Sequence, residues 1–154
     1  MSSAERTLYR LLNPVVRRVL RSQAHGLLGD GVMLLTFSDR KSGERYVLPL
    51  GYVMEGEDIF CLTGKSWSNW WKNLAGGAPV VVRLHGREFD CRAEIVEDEA
   101  VLERGLDAFL HKYPSTARRY GVRLDPEGSP VPGDVAEAAR GDEAVMILAR
   151  TGQH

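Results

Sequence analysis

The chain has 154 residues, 44% hydrophobic and 27% charged, with a formal net charge of -1. That composition suits one soluble globular domain over 1–154. It gives no bulk attraction to nucleic acid, and no apolar run approaches the roughly 20 residues that span a bilayer.

Residues 4–22 read as an amphipathic helix. Leu8, Leu11, Leu12, Val15, Val16, Val19 and Leu20 recur at three- and four-residue spacings, and Pro14 kinks or divides the helix. Its other face is basic: five arginines against Glu5 alone give +4 over residues 1–22. Such a face either lies in solvent above the core or meets an anionic membrane surface as a peripheral contact. Arginines interrupt the apolar run of a secretory signal, so a cytoplasmic location is expected.

Strand signals follow. Val32–Phe37 is a short apolar run, and Tyr46–Met54 is a second. Glu55-Gly56-Glu57-Asp58 turns into a third strand, Ile59–Thr63. Pro79–Leu84 is a fourth, and His85-Gly86 turns into Glu88–Val96. There Phe89, Cys91, Ala93 and Ile95 alternate with Asp90, Arg92 and Glu94, the mark of a half-buried strand. Asp98 is placed to cap a helix over about 99–112, stopped by Pro114. Residues 125–133 carry three of the seven prolines and read as a loop. Asp134 is a candidate cap for a short helix to Arg140, and Glu143–Arg150 is the last strand. Short hairpin links make a six-stranded, largely antiparallel sheet with a short helix inserted mid-way. A small closed or half-closed barrel accommodates it better than a doubly wound sheet.

Two segments carry the candidate chemistry. In the first, Arg40-Lys41-Ser42-Gly43 followed by Arg45 puts three cations on one turn, either a solvated hairpin tip or an anion grip. Pro49-Leu50-Gly51 follows within a strand. Proline removes a ladder donor and glycine a side chain, which suits an edge or bulge, or close approach to a ligand. In the second, Trp67, Trp70, Trp71 and Leu74 at i, i+3, i+4 and i+7 share a helix face that Ser66 can cap and Gly76-Gly77 can end. These tryptophans pack the helix on the barrel, and one of them can also wall a flat aromatic ligand. Gly64-Lys65-Ser66 is not a nucleotide P-loop, because that motif needs glycine where Ile59 stands. A lysine beside helix N-terminal amides still suits a phosphate or carboxylate. With the loops adjacent, Lys41, Arg45 and Lys65 converge on one anion. Cys61 and Cys91 sit in apolar runs and read as buried thiols. The scattered histidines offer no metal motif, and there is no G-x-S-x-G elbow.

The residues Arg40-Lys41-Ser42-Gly43, Pro49-Leu50-Gly51-Tyr52, Trp70-Trp71-Lys72-Asn73-Leu74 and Tyr113-Pro114-Ser115 together resemble the deazaflavin-dependent nitroreductase family. That family lies within the superfamily of split β-barrels that also holds FMN-binding and pyridoxamine-phosphate-oxidase-like proteins. The resemblance runs from about Asn13-Pro14 to Tyr120. It implies an α+β, mainly antiparallel split barrel with flanking helices, and a reductase that passes a hydride from reduced coenzyme F(420) to an electron-poor small molecule such as a quinone, nitro compound or enone. By match, Lys41, Ser42 and Lys65 hold the anionic tail, Pro49, Leu50, Gly51 and Tyr52 border the ring, and Asn73 lies near the cofactor. Tyr113, Tyr120 and Ser66 are the candidate proton donors. The chain departs from the family at Tyr46, where many members carry arginine, and the loop from Lys65 to Trp70 is short. FMN is the alternative cofactor, and a non-catalytic haem or lipid carrier the alternative function. A homodimer is expected by analogy with split barrels.

Overall fold

In the computed structural model, residues 32–66 and 68–151 are described. The helix expected over 4–22 and Trp67 lie outside them. Among the described residues, seven antiparallel strands form one sheet: β1 (Val32–Ser38), β2 (Arg45–Gly51), β3 (Val53–Glu55), β4 (Asp58–Gly64), β5 (Ala78–Leu84), β6 (Arg87–Ile95) and β7 (Ala144–Thr151). The order across the sheet is β2-β1-β5-β6-β7-β4-β3.

The sequence pattern predicts six strands, with Tyr46–Met54 as one of them. That run is two strands divided at Tyr52. β2 pairs with β1 through Leu48 opposite Leu35, whereas β3 pairs with β4 through Val53 opposite Phe60. These are the two edges of the sheet, joined by a single residue. A sheet whose edges are tethered so tightly must curl until they meet. β2 and β3 share no ladder, so the barrel stays split along that seam. The position of β2 at an edge also accounts for Pro49, which a central strand would not accept.

The hairpins are set by local turn chemistry. Glu55 faces Asp58 across Gly56-Glu57, and Leu84 faces Arg87 across His85-Gly86. His85 and Gly86 have φ of 51° and 75°, the doubly positive geometry whose twist matches that of paired strands.

Alternation splits the core in two. Met33, Leu35, Phe37, Ile59, Cys61, Val80, Val82, Cys91, Ala93, Val145, Ile147 and Ala149 fill the barrel. Phe60, Met146 and Leu148 point to the outer face, where they meet α1 (Glu99–Lys112) and α2 (Pro132–Arg140) through Leu102, Leu106, Leu110, Val135 and Ala139. β7 is buried on both faces, which is why its sequence is a continuous apolar run. Cys61 and Cys91 are free thiols inside the barrel, and burial pushes the Cys61 thiol far up.

Asp98 caps α1 as expected, its carboxylate accepting the Val101 N–H at 3.0 Å. Tyr113 closes that helix, and Pro114 opens a 3-10 turn to Tyr120. Asp134 does not cap α2, which begins two residues earlier at Pro132. Its carboxylate is taken instead by Arg123, through the backbone N–H at 2.9 Å and the guanidinium at 2.8 and 3.1 Å. The expected loop at 125–133 is a tight turn on the Asp125 carboxylate, which accepts the Glu127 and Ser129 N–H groups. Its last residues form the start of α2.

The Arg123 hydrogen bonds hold the Asp134 carboxyl down to about 2. A depressed folded-state value gives stability that is present above the unfolded value near 4 and lost as pH falls through about 2. Asp134→Asn is therefore expected to lower the melting temperature at pH 6. The gap to the parent protein should narrow between pH 4 and 2. A gap that stays constant down to pH 2 would separate the carboxylate's charge from its effect on stability.

Candidate functional site

The turn between β1 and β2 is built on Asp39. Its carboxylate accepts the N–H groups of Lys41 and Ser42, both at 2.8 Å, and its carbonyl accepts the Gly43 N–H at 2.8 Å. The backbone N–H groups of Ser42 and then Lys41, donating to this carboxylate, hold the Asp39 carboxyl below its ordinary range. An aspartate at the first position of such a turn organises its own backbone and leaves the following side chains to point away. Those side chains are Arg40 and Lys41.

The turn leans on the Trp segment. That segment is not the longer helix expected from Ser66 onward but a five-residue 3-10 turn, Trp70–Leu74, with Asn69 at its start. Ser66 is unavailable as a cap, because its N–H and hydroxyl both donate to Glu143, at 3.1 and 2.6 Å. The loop between them is pinned by Ser68. Its hydroxyl meets Thr63 Oγ1 at 2.8 Å and donates to the Gly64 carbonyl at 3.0 Å, and its carbonyl accepts the Trp71 indole N–H at 3.0 Å. Leu74 is fully buried at the barrel mouth, with Trp70 and Trp71 packed beside it. The turn ends at Ala75, whose N–H donates to the Lys72 carbonyl at 3.2 Å, and Gly76 and Gly77 follow it with φ of 80° and 89°. The Phe37 ring lies 5.5 Å from Trp70 and 5.7 Å from Tyr46, an aromatic floor beneath the two loops.

Where the loops meet, a crevice of about 300 Å3 opens, lined by Asp39, Arg40, Lys41, Asn69, Lys72 and Asn73. Three cations and one carboxylate give its walls a net charge of +2, and the Asn69 carboxamide adds donors. This donor set fits a phosphate or carboxylate group. The two loops are adjacent, but the cations that share the crevice with Lys41 are Arg40 and Lys72, not Arg45 or Lys65. Lys65 does not line this crevice; its ammonium is 3.8 Å from Asp142, and its backbone N–H donates to the Glu143 carbonyl at 2.8 Å. Sequence reasoning passed over Asp39, Asn69 and Lys72. The aspartate heading the turn was the available signal for the first.

The remaining candidates sit around Tyr52, where the chain crosses from one edge of the sheet to the other. Tyr52 is buried, and its carbonyl accepts from Lys112 Nζ at 2.6 Å and from the Tyr113 hydroxyl at 3.0 Å, while its N–H donates to that hydroxyl at 3.2 Å. The missing side chain of Gly51 faces Tyr113: a Cβ there would lie 3.4 Å from the Tyr113 ring. Burial raises the Tyr113 phenol, and raises the half-buried Tyr120 phenol to about 12. Both therefore keep their protons at neutral pH. Tyr120 lines a separate recess with Asp134, Glu137, Asp142 and Glu143.

Among the described residues no helix is long and apolar enough to cross a membrane, and no group of three or more His, Cys, Asp or Glu is placed to hold a metal ion.

Comparison with known proteins adds to this geometry. A family model described as F(420)H(2)-dependent quinone reductase matches residues 8–125. No curated protein is significantly similar in sequence. Among solved structures, an F(420)-H2 dependent reductase, FDR-A, superposes with a TM-score of 0.56 at 20% identity, over 79% of this chain and 96% of that one. A FAD-binding protein from Mesorhizobium loti gives 0.54 at 15% identity, over 87% and 88%. A structure described as a domain-swapped dimer gives 0.57 at 19% identity, over 88% and 97%. At such identities these likenesses show the fold, a split barrel.

Proposed function

Because the chain belongs to the F(420)H(2)-dependent quinone reductase family, we propose that it binds reduced coenzyme F(420) at the barrel mouth and reduces an electron-poor small molecule there, a quinone first, with nitro compounds and enones as further substrates. The observation that carries this reading is the crevice that Arg40, Lys41 and Lys72 line together. An acidic, phosphate-bearing tail needs such a grip.

When bound, the deazaflavin supplies a hydride from its ring carbon. The chain's own residues hold and orient. Lys41, Arg40 and Lys72 take the tail by charge-assisted contacts, with Ser42 and Gly43 shaping the turn between them. Arg45 opens β2 beside this turn, and Lys65 offers a further cation outside the crevice for a long tail. The edge strand Pro49-Leu50-Gly51-Tyr52 borders the ring, its backbone fixed by the Tyr113 hydroxyl and Lys112 at Tyr52. Trp70, tilted against Phe37, walls the entrance. Fixed walls of this kind position two reactants and keep water out. Tyr113 and Tyr120 remain the candidate proton donors, although burial makes each phenol a weaker acid and the Tyr113 hydroxyl already donates to the Tyr52 carbonyl at 3.0 Å. Ser66, the third candidate, is held in the same way, because its hydroxyl donates to Glu143. A homodimer, which split barrels commonly form, is part of the same reading.

The test is a fluorescence and absorbance titration with F(420), FMN and haem, followed by oxidation of the reduced deazaflavin with a short-chain quinone. Micromolar binding of F(420) and quinone-dependent turnover are expected. Binding of FMN or haem with none of the deazaflavin would overturn the proposal. Within the same assay, Lys65→Ala should weaken F(420) less than Lys41→Ala, because Asp142 already shares the Lys65 charge.

A further inference from the structure

The Asn73 carboxamide is used at both ends. Its oxygen accepts the Arg40 N–H at 2.9 Å, across 33 positions of chain, and its nitrogen donates to the Trp70 carbonyl at 2.9 Å. The Arg40 guanidinium makes a second tie, to the Lys72 carbonyl at 3.1 Å. The other amides of the β1–β2 turn are satisfied within it: those of Lys41 and Ser42 by the Asp39 carboxylate, those of Asp39 and Gly43 by the Glu44 and Asp39 carbonyls, and that of Glu44 by the Ser42 hydroxyl. The Arg40 N–H is thus the turn amide carried by another segment, and its acceptor is Asn73.

The geometry points to Asn73 as a positioning residue for anion binding: it latches the cationic turn to the Trp70–Leu74 turn and so sets Arg40 and Lys41 opposite Lys72. It acts through the Arg40 backbone, with no need to touch a ligand itself. The inference rests on the reading of this crevice as the site for the coenzyme's acidic tail. A turn on a hairpin tip, held only by itself, samples many orientations. Cations fixed in advance lose less freedom when the anion arrives, and affinity rises accordingly. Asparagine suits this better than aspartate, since it serves an N–H and a carbonyl together without placing a negative charge in a site for anions.

Two ligands and one exchange measurement test it. Asn73→Ala should weaken binding of the full coenzyme by about tenfold. It should leave binding of the tail-less deazaflavin chromophore within about twofold, because the chromophore does not use the turn. Without ligand, the Arg40 amide should exchange faster in this variant while core amides of β7 stay protected. Lys41→Ala should cost less in the Asn73→Ala background than in the parent protein, since two residues acting through one turn are coupled. Asn73→Asp keeps the acceptor oxygen and should keep the Arg40 amide protected. Equal loss for the full coenzyme and the bare chromophore would make Asn73 a ring contact and overturn the latch. So would fully additive losses with Lys41→Ala, or an Arg40 amide that exchanges equally fast with asparagine, aspartate or alanine at position 73. If the parent protein binds neither deazaflavin, the functional reading of the crevice fails, and the exchange rates still decide whether Asn73 holds the turn.

Discussion

Phe60→Ala is expected to lower the free energy of unfolding by about 3–5 kcal/mol, the usual cost of emptying a large buried aromatic site. Phe60 is fully buried on the outer face of β4, among Leu106, Leu110, Met146 and Leu148. It couples the sheet to α1, and the contact is closer than helices and sheets normally allow. Gly105 makes that possible: a Cβ at that position would stand 2.8 Å from the Phe60 ring. Glycine inside a helix costs about 1 kcal/mol relative to alanine, so its presence there needs a packing reason. Gly105→Ala should therefore destabilise the protein by about 1–3 kcal/mol, against the direction of helix propensity. Chemical denaturation of both variants and of the double variant checks this. With the Phe60 ring gone, an alanine at 105 has room, and the double variant should be more stable than Phe60→Ala alone. Simple additivity would mean that the ring and the glycine are unrelated.

Lys41→Ala combined with Lys72→Ala should weaken F(420) binding by about 30-fold at low ionic strength. The figure takes about 1 kcal/mol for each exposed cation lost. Both lysines are exposed, so the loss should shrink as salt rises and the Debye length falls below ~8 Å. A titration at several salt concentrations measures both effects. The parent protein should show a steep dependence on salt and the double variant a shallow one. If affinity and salt slope stay put, the crevice between the two turns is not where the tail binds. Because both side chains lie on the surface, melting temperature should change little, which separates this outcome from loss of fold.

The succession of elements was legible in the sequence because its signals are local. The two-residue turns at Gly56-Glu57 and His85-Gly86, the Asp98 cap and the alternation from Phe89 to Ile95 each act within a few residues, and each stands in the structure where the pattern put it, within a residue. The shortfalls came wherever a distant partner outbid a local one. Asp134 has the spacing of a cap but is taken by Arg123, and Ser66 has the spacing of a cap but is taken by Glu143, 77 positions away. Tyr46–Met54 reads as one strand, yet it serves both edges of the sheet, and no pattern within nine residues reveals that.

By itself, then, the sequence determined an antiparallel barrel, its turns and a cation-bearing hairpin tip, because side-chain period and backbone preference are properties of neighbours in the chain. Only the tertiary structure decided which cations share a crevice. Closing the barrel brings Arg40 and Lys41 against Lys72 and Asn73, while β4 pairs with β7 and its end carries Lys65 to Asp142. That partition follows from strand order, and strand order is a matter of long-range pairing.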